Sequence, residues 1–319
     1  MNKTKSEENI NYLKCFICDG TFSYLFSQKD VTYFTSKKYF DLFECGSCKL
    51  VKILPQPTLD EIKSFYPNNY YVHSVSYEKS FIEWLYNCSV DAVLNKHYKV
   101  PQPNIFYFFL AQLLKNLVIG VPLYSPKENG RFLDIGCGHG YWVEKLQNLG
   151  WIAQGIDIIG NPSERIVIGD FLEYEYEEKF EFIRMLGVLE HVIAPEKFIE
   201  KIGSLLLNND SICQISIPHT DSFGYKYFKV DWIGFEVPRH LHSFTLDNLS
   251  VLFERYNMRI IDVTYNTSGG SFIHQLSLKW KMRFVVKYWT FFYFLFLPID
   301  FLLKKMKKTI DVTLTVKKI

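Results

Sequence analysis

A doubly wound α/β fold built on a mostly parallel sheet is what this chain predicts, and three observations predict it. Residues Phe132 to Tyr141, FLDIGCGHGY, put an apolar run before Gly136, Gly138 and Gly140, with an acid, Asp134, just ahead of them. Two more apolar runs, Trp151–Ile158 and ERIVIGDF, carry acids at their ends, Asp157 and Asp170. Helical patterns alternate with these runs, and that alternation implies parallel strands with ligands gathered at their carboxyl ends.

At the amino end, Cys15 and Cys18 form one CxxC pair and Cys45 and Cys48 a second. Four thiolates in two such knuckles suit a tetrahedral structural zinc site. The segment between them, Phe22 to Phe43, is rich in Phe, Tyr and Thr and suits a β-hairpin. Disulfides and free thiols are the rival readings. The first fourteen residues are polar and charged rather than a signal peptide, so a reducing cytosol and a metal are expected. A closed four-cysteine site leaves no open coordination position, so it serves folding or docking. Of the seven cysteines, Cys88, Cys137 and Cys213 stand singly and read as small buried residues.

Pro55 and Pro57 mark a boundary, and Thr58 with Glu61 reads as a capping box opening a short helix. A helical linker follows. Its residues Tyr66, Tyr70, Tyr71 and His73 read either as a lid over a pocket or as an aromatic cluster joining the ribbon to the next domain. The organisation expected is a four-cysteine module over 1–56, a linker over 57–129 and an α/β domain over 130–319, with an apolar helical insertion over about 275–308.

The glycine turn lies between a strand and YWVEKLQNLG, an amphipathic helix ending at Gly150. Such a turn brings backbone amides close to a ligand at a helix N-terminus. Its GxGxG spacing departs from the GxGxxG of dinucleotide-binding folds. An acid ending the second strand, here Asp157, is placed to take ribose hydroxyls. After FEFIRMLGVLEHV come a helix from about Pro195 to Leu207 and the strand SICQISIP.

The loop-rich stretch 216–245 holds three of the eight histidines. A base near neutral pH suits histidine, so His240, His242 and His191, which stands beside Glu190, are the candidate catalytic residues. On an extended segment His240 and His242 share a face. The pair with Glu236 or Asp231 is also suited to a cation, and Arg239 to pairing a carboxylate. Thr245 reads as an N-cap for the helix TLDNLSVLFERY.

Near the carboxyl end, the apolar run Tyr288 to Leu303 is too short to span a bilayer and is interrupted by Pro298 and Asp300. Basic and aromatic residues flank it, which suits peripheral contact with a membrane surface through about 280–308. MRIIDVTYN and DVTLTVKKI read as the sixth and seventh strands of one sheet, the last antiparallel. A single crossing between them would put those strands on opposite sides of the bilayer. Burial of the run inside the protein or a dimer is the rival reading. A formal net charge of +2 gives no basic footprint for nucleic acid.

In their order, LDIGCGHG, the acid of GIDI, IGDF and GVLEHV resemble a class I S-adenosylmethionine-dependent methyltransferase. The resemblance implies a seven-stranded sheet, with Asp134 and the three glycines around the methionine portion. It also implies ribose contact at Asp157 and adenine contact at Asp170 and Phe171. The CxxC pairs, LPQPT…FYP…YY and VPRHLHSFT are similar to a zinc-ribbon-bearing bacterial subgroup associated with surface-polysaccharide and deoxysugar biosynthesis. The expected activity is methyl transfer to a sugar or lipid-linked glycan, at oxygen or carbon, in the cytoplasm or at the inner face of the membrane. The absence of an Asn/Asp-Pro-Pro-aromatic string after the fourth strand weakens an amino-nitrogen acceptor. The alternatives are a quinone or other lipid-ring O-methyltransferase and a non-catalytic ribbon docking protein with a vestigial cofactor domain.

Overall fold

The computed structural model describes residues 13–66, 90, 91, 94, 129–266, 271–280, 282 and 289–319. Tyr70, Tyr71, His73, Cys88 and most of the linker lie outside the described residues.

Strands β1 (Phe22–Lys29), β2 (Tyr39–Cys45) and β3 (Val51–Ile53) form an antiparallel meander. A Cβ on Gly20 would stand 2.7 Å from Ser47 Oγ and 2.9 Å from Cys45 Sγ, so only glycine lets the first knuckle close against the second. Helix α1 (Leu59–Ser64) follows, and Thr58 and Glu61 make the expected reciprocal cap.

The second sheet contains β4 (Arg131–Ile135), β5 (Ile152–Asp157), β6 (Ile166–Ile168), β7 (Phe182–Leu186), β8 (Ile212–Pro218), β10 (Met258–Tyr265) and β11 (Asp311–Lys318). Its order is β10-β11-β8-β7-β4-β5-β6. Neighbours from β8 to β6 pair in parallel, while β11 runs antiparallel to both β8 and β10. This is the expected seven-stranded arrangement, with the last strand reversed. The central strands are buried on both faces, which explains their continuous apolar runs.

Helices α2 (Tyr141–Gln147) and α3 (Pro195–Leu205) cover the sheet. The first ends three residues before Gly150, and the second ends short of Leu207 because Leu206 is already extended. Phe198, Ile199, Ile202 and Leu205 give α3 one apolar face. Burying each such side chain contributes roughly 1.5–3 kcal/mol.

Helix α4 (Phe223–Phe228) leads into two short 3-10 turns, and then a two-residue strand, β9 (His242–Ser243), leaves the α/β unit. It pairs antiparallel with β3 and becomes the fourth strand of the ribbon sheet. Helix α5 (Leu246–Arg255), capped by Thr245 as expected, then braces the ribbon. Asn248 donates to the Cys48 carbonyl at 3.2 Å and Arg255 to the Phe16 carbonyl at 2.8 Å. Cys15, Ile17, Phe43 and Leu50 pack in one core with Leu133, Ile183, Phe244 and Leu252. The boundary at residue 56 therefore separates two stretches of chain but not two cores.

Between β10 and β11 lie α6 (Ser271–Lys279) and α7 (Trp289–Lys305). Helix α7 runs on through Pro298 rather than breaking there. Asp300 turns inward and is 3% exposed. Among the described residues, no helix is long and apolar enough to cross a membrane.

Candidate active site

One cavity of about 540 Å³ opens at the carboxyl edge of the parallel strands. The reversed direction of β11 matters here. Asp311 pairs with Pro218 in register, so the first residue of β11 reaches the same edge as the last residue of β8.

One half of the cavity is built from the first strands. Gly136 has φ of +73°, and a Cβ there would stand 2.3 Å from Val188 Cγ2. The turn after β4 therefore needs glycine for both its backbone angle and its close approach to the neighbouring loop. At the end of β5, Asp157 Oδ2 accepts from the Gly138 amide at 2.8 Å and Oδ1 from the Ile159 amide at 3.1 Å. Its carboxylate thus ties the glycine turn to the lip of the cavity. Gly136, Asp157, Gly169 and Phe171 line this half. Beside them, Gly169 and Gly187 have nothing within 4 Å of a built Cβ, so they border open space where a ligand fits.

Four of the expected donor-side residues do not line the cavity. Asp134 is buried beneath it, 3.6 Å from Arg184 Nε, and Arg184 lies 4.8 Å over the Trp142 ring. Burial raises the Asp134 carboxyl to about 6, against the opposing pull of Arg184. Gly138 and Gly140 shape the turn without reaching the space. Asp170 faces outward and accepts from the Leu172 amide at 2.8 Å, capping its own turn, while Phe171 lines the cavity and packs at 5.0 Å against Phe198, which lines it too.

The other half draws on four distant segments: Ile62 and Tyr66, the β7 exit from Leu186 to Val192, residues 233–240, and Ile310 with Asp311. Its centre is a histidine pair. The rings of His191 and His240 meet edge to face at 4.5 Å. His191 Nδ1 contacts the Arg239 carbonyl at 3.2 Å and the Tyr66 hydroxyl at 3.0 Å. His240 Nδ1 contacts the Gly234 carbonyl at 2.8 Å. A carbonyl only accepts, so each Nδ1 carries the proton and each Nε2 is left with a lone pair. Burial lowers both histidines from the usual imidazole range, so both stand neutral near pH 7.

His242 does not join them. The backbone turns through Glu236–Arg239 and becomes a strand only at His242, so the two-residue spacing does not place both rings on one face. His242 packs at 5.6 Å against the Phe16 ring and lies 3.4 Å from Gln56 Nε2, within the ribbon junction. Asp231 is also remote from the pair and faces Lys279 at 3.9 Å. The histidine and carboxylate grouping suited to a cation is instead Glu190, His191 and His240, with one ligand atom of each within 4.8 Å of the others.

Three carboxylates that sequence patterns did not bring forward as a set line this half: Glu190, Glu236 and Asp311. Glu190 is almost fully buried, and its Oε2 has no hydrogen-bond partner among the described residues. Burial raises its carboxyl to about 8, and that of Asp311 to about 6. No lysine or arginine lines the cavity among the described residues. Position at a strand end was the available signal for Glu190. Asp311 had none, because it opens a strand.

Residues 107–263 match a family model described as a methyltransferase domain. The chain is similar to the ubiquinone biosynthesis O-methyltransferase of Glaesserella parasuis serovar 5, 29% identical over 145 residues, or 38% of this chain and 61% of that protein. The protein of the same name from Brucella ovis is 26% identical over 168 residues, 46% of this chain and 68% of its own. A solved structure of Burkholderia thailandensis 1,6-didemethyltoxoflavin-N1-methyltransferase, with that compound and S-adenosylhomocysteine bound, is similar at 14% identity. It covers 90% of this chain and 98% of that one, with a TM-score of 0.46.

Glu190 provides a test of the cavity's polarity. A carboxyl at about 8 in the folded state and about 4.3 when unfolded keeps a proton that the unfolded chain gives up. Its contribution to stability is complete below about pH 4 and is lost as the pH rises to about 8. Glu190→Gln stays uncharged, so its thermal midpoint is expected to fall less than the native one between about pH 5 and about pH 8. Equal falls would show that Glu190 is not held protonated.

Proposed function

We propose that the chain is an S-adenosylmethionine-dependent methyltransferase that methylates a hydroxyl oxygen of a ring-bearing acceptor; the match of residues 107–263 to a methyltransferase-domain model supports the reaction class. The observation that carries this reading is the division of one cavity into a glycine–Asp157 half and a His191–His240 half. When bound, S-adenosylmethionine supplies a sulfonium methyl for in-line displacement. Gly136 and Asp157 would hold the donor side, the Gly138 amide aims the Asp157 carboxylate, and Phe171 gives an adenine-sized apolar wall. The acceptor hydroxyl gives its proton to Nε2 of His240, which is neutral and held by Gly234. His191, fixed by Tyr66 and the Arg239 carbonyl, takes the same proton or orients the hydroxyl. Positioning the two reactants within one enclosed site supplies much of the rate.

A lipid-ring acceptor of the quinol kind is the first choice, because the relatives above are named for ubiquinone biosynthesis. The shape of α7 supports it. Leu295 and Leu302 stand seven residues apart on one exposed face, each 55% exposed, while Asp300 points inward. Lys304 and Lys305 close the helix and Lys307 and Lys308 follow, which suits an anionic lipid surface. The sugar acceptor is the second reading. It is favoured by the three carboxylates of the cavity, which accept from hydroxyl groups, and it leaves any diphosphate outside.

The four cysteines we assign to structural zinc. The Cys15–Cys48 and Cys18–Cys45 sulfurs lie 3.6 and 3.5 Å apart. A tetrahedral ion with Zn–S bonds near 2.3 Å wants sulfurs about 3.8 Å apart, so the thiols need only a small expansion.

Calorimetry with S-adenosylhomocysteine tests the donor half, and absence of binding would sink the reading. With a radioactive methyl donor, label is expected in a demethylated quinol; label in a lipid-linked sugar instead would select the second acceptor. His240→Ala is expected to lower kcat about 100- to 10,000-fold while leaving donor affinity in place. Elemental analysis should find about one zinc per chain, lost in Cys18→Ser together with several degrees of thermal midpoint; a metal-free native protein refutes the assignment. In flotation, anionic vesicles should carry the protein and Leu295→Glu should weaken that. Equal recovery with and without vesicles argues against the surface contact.

A further inference from the structure

We propose that Arg239 is the positioning residue through which the ribbon sets the acceptor half of the active site. The inference rests on the reading of that cavity as a methyl-transfer site.

Arg239 is completely buried and does not line the cavity, so it touches no substrate. Its guanidinium nevertheless joins three separate parts of the chain. Nη2 and Nη1 donate to Asp30 Oδ1 and Oδ2 at 3.1 and 3.2 Å, a two-point pairing with the turn after β1. Nη1 also donates to the Phe65 carbonyl at 3.2 Å, and Nε donates to Glu236 Oε1 at 2.9 Å. The Tyr33 ring lies 4.5 Å from the guanidinium carbon. Asp30 is itself anchored, accepting from the amides of Thr32, Tyr33 and Thr35 and from the Thr35 hydroxyl.

From that one guanidinium, three paths lead to the histidine pair. Glu236, with Oε1 taken by Arg239, presents Oε2 at 3.8 Å from His240 Nε2. The carbonyl of Arg239 holds His191 Nδ1. Phe65, held through its carbonyl, is followed by Tyr66, whose hydroxyl meets the same Nδ1. None of the three paths reaches Gly136, Asp157 or Phe171. The donor half and the acceptor half are therefore held by different means.

The consequence is specific. Weakening the Asp30–Arg239 pair should disturb the histidines and spare donor binding. Lysine cannot reproduce the two-point pairing and the Nε contact together, so Arg239→Lys is not a conservative change here.

The test uses the full chain labelled with ¹⁵N-histidine, in native, Asp30→Asn and Arg239→Lys forms. In the native protein the ring nitrogens of His191 and His240 should report the tautomer with the proton on Nδ1. In both variants these signals should shift toward mixed tautomers, while the dissociation constant for S-adenosylhomocysteine stays within about twofold, well inside the tenfold that 1.4 kcal/mol would give. Unchanged histidine signals in a folded variant overturn the proposal. So does a donor affinity that falls in parallel with them, since a general loss of structure would move both. Should Arg239→Lys fail to fold, Glu236→Gln and Asp30→Asn carry the same comparison, Glu236→Gln leaving the arginine and aspartate intact. Failure of the native protein to bind S-adenosylhomocysteine would refute the functional reading separately, because the histidine signals are read without it.

Discussion

The buried guanidinium of Arg239, shared between Asp30 and Glu236, is the contact on which the arrangement of the two modules depends. Charges in a protein interior lose the hydration of water, and only close partners with well-aimed hydrogen bonds offset that loss. Asp30 meets this condition fully. Its carboxylate takes two arginine hydrogens, three backbone amides and one hydroxyl, and these hold it far below the ordinary carboxylate range against burial. Removing one partner of such a pair leaves the other charged and dry, at a cost of about 3–5 kcal/mol. That cost fixes the ribbon hairpin and the 236–240 turn in one relative position, so the four-stranded ribbon sheet can recruit β9 from the other module.

The two halves of the cavity follow different physical rules. On the glycine–Asp157 side, backbone does the holding: the amides of Gly138 and Ile159 aim the Asp157 carboxylate. Such a site depends on strand order and little else. On the His191–His240 side, side chains in a poorly hydrated space set one another's protonation states. Burial raises Glu190 and Asp311 and lowers His191 and His240, so near neutral pH the acids move toward their neutral forms and the imidazoles lose their charge. A neutral imidazole facing a hydroxyl is able to take a proton; a protonated one is not.

These rules explain what was legible in the sequence. Strand ends can be read locally, so the placing of Gly136 and Asp157 at the cavity edge was legible from a few adjacent residues. Asp134 was read as a ligand contact, but burial under the cavity and pairing with Arg184 are facts of the sheet interior that no local pattern carries. Asp170 looked equivalent to Asp157 by position, yet its carboxylate turns back onto its own loop. His242 shares a face with His240 only if the segment is extended from residue 240, whereas the strand begins at 242 and pairs with Lys52. Asp30 was not found at all. Its partner lies 209 residues away, and a lone aspartate after a strand has no pattern that announces a buried ion pair.

That long-range pairing also shows what the seven-stranded unit gains from the four-stranded sheet packed on it. The residues from 136 to 171 that line one half of the cavity lie within one short stretch, closed by a few turns. The other half collects Tyr66, His191, His240 and Asp311 from segments far apart in the chain. Closing long loops around a small polar cavity costs conformational entropy that grows with their length, and a cavity cannot offset it by apolar burial of its own. The ribbon supplies the missing constraint from outside. Its apolar residues share the main core, Asn248 and Arg255 brace its cysteine knuckles, and its Asp30 reaches Arg239. Order created where thiols and apolar residues are cheap to bury is thereby transmitted to a place where only hydrogen bonds and charges are allowed.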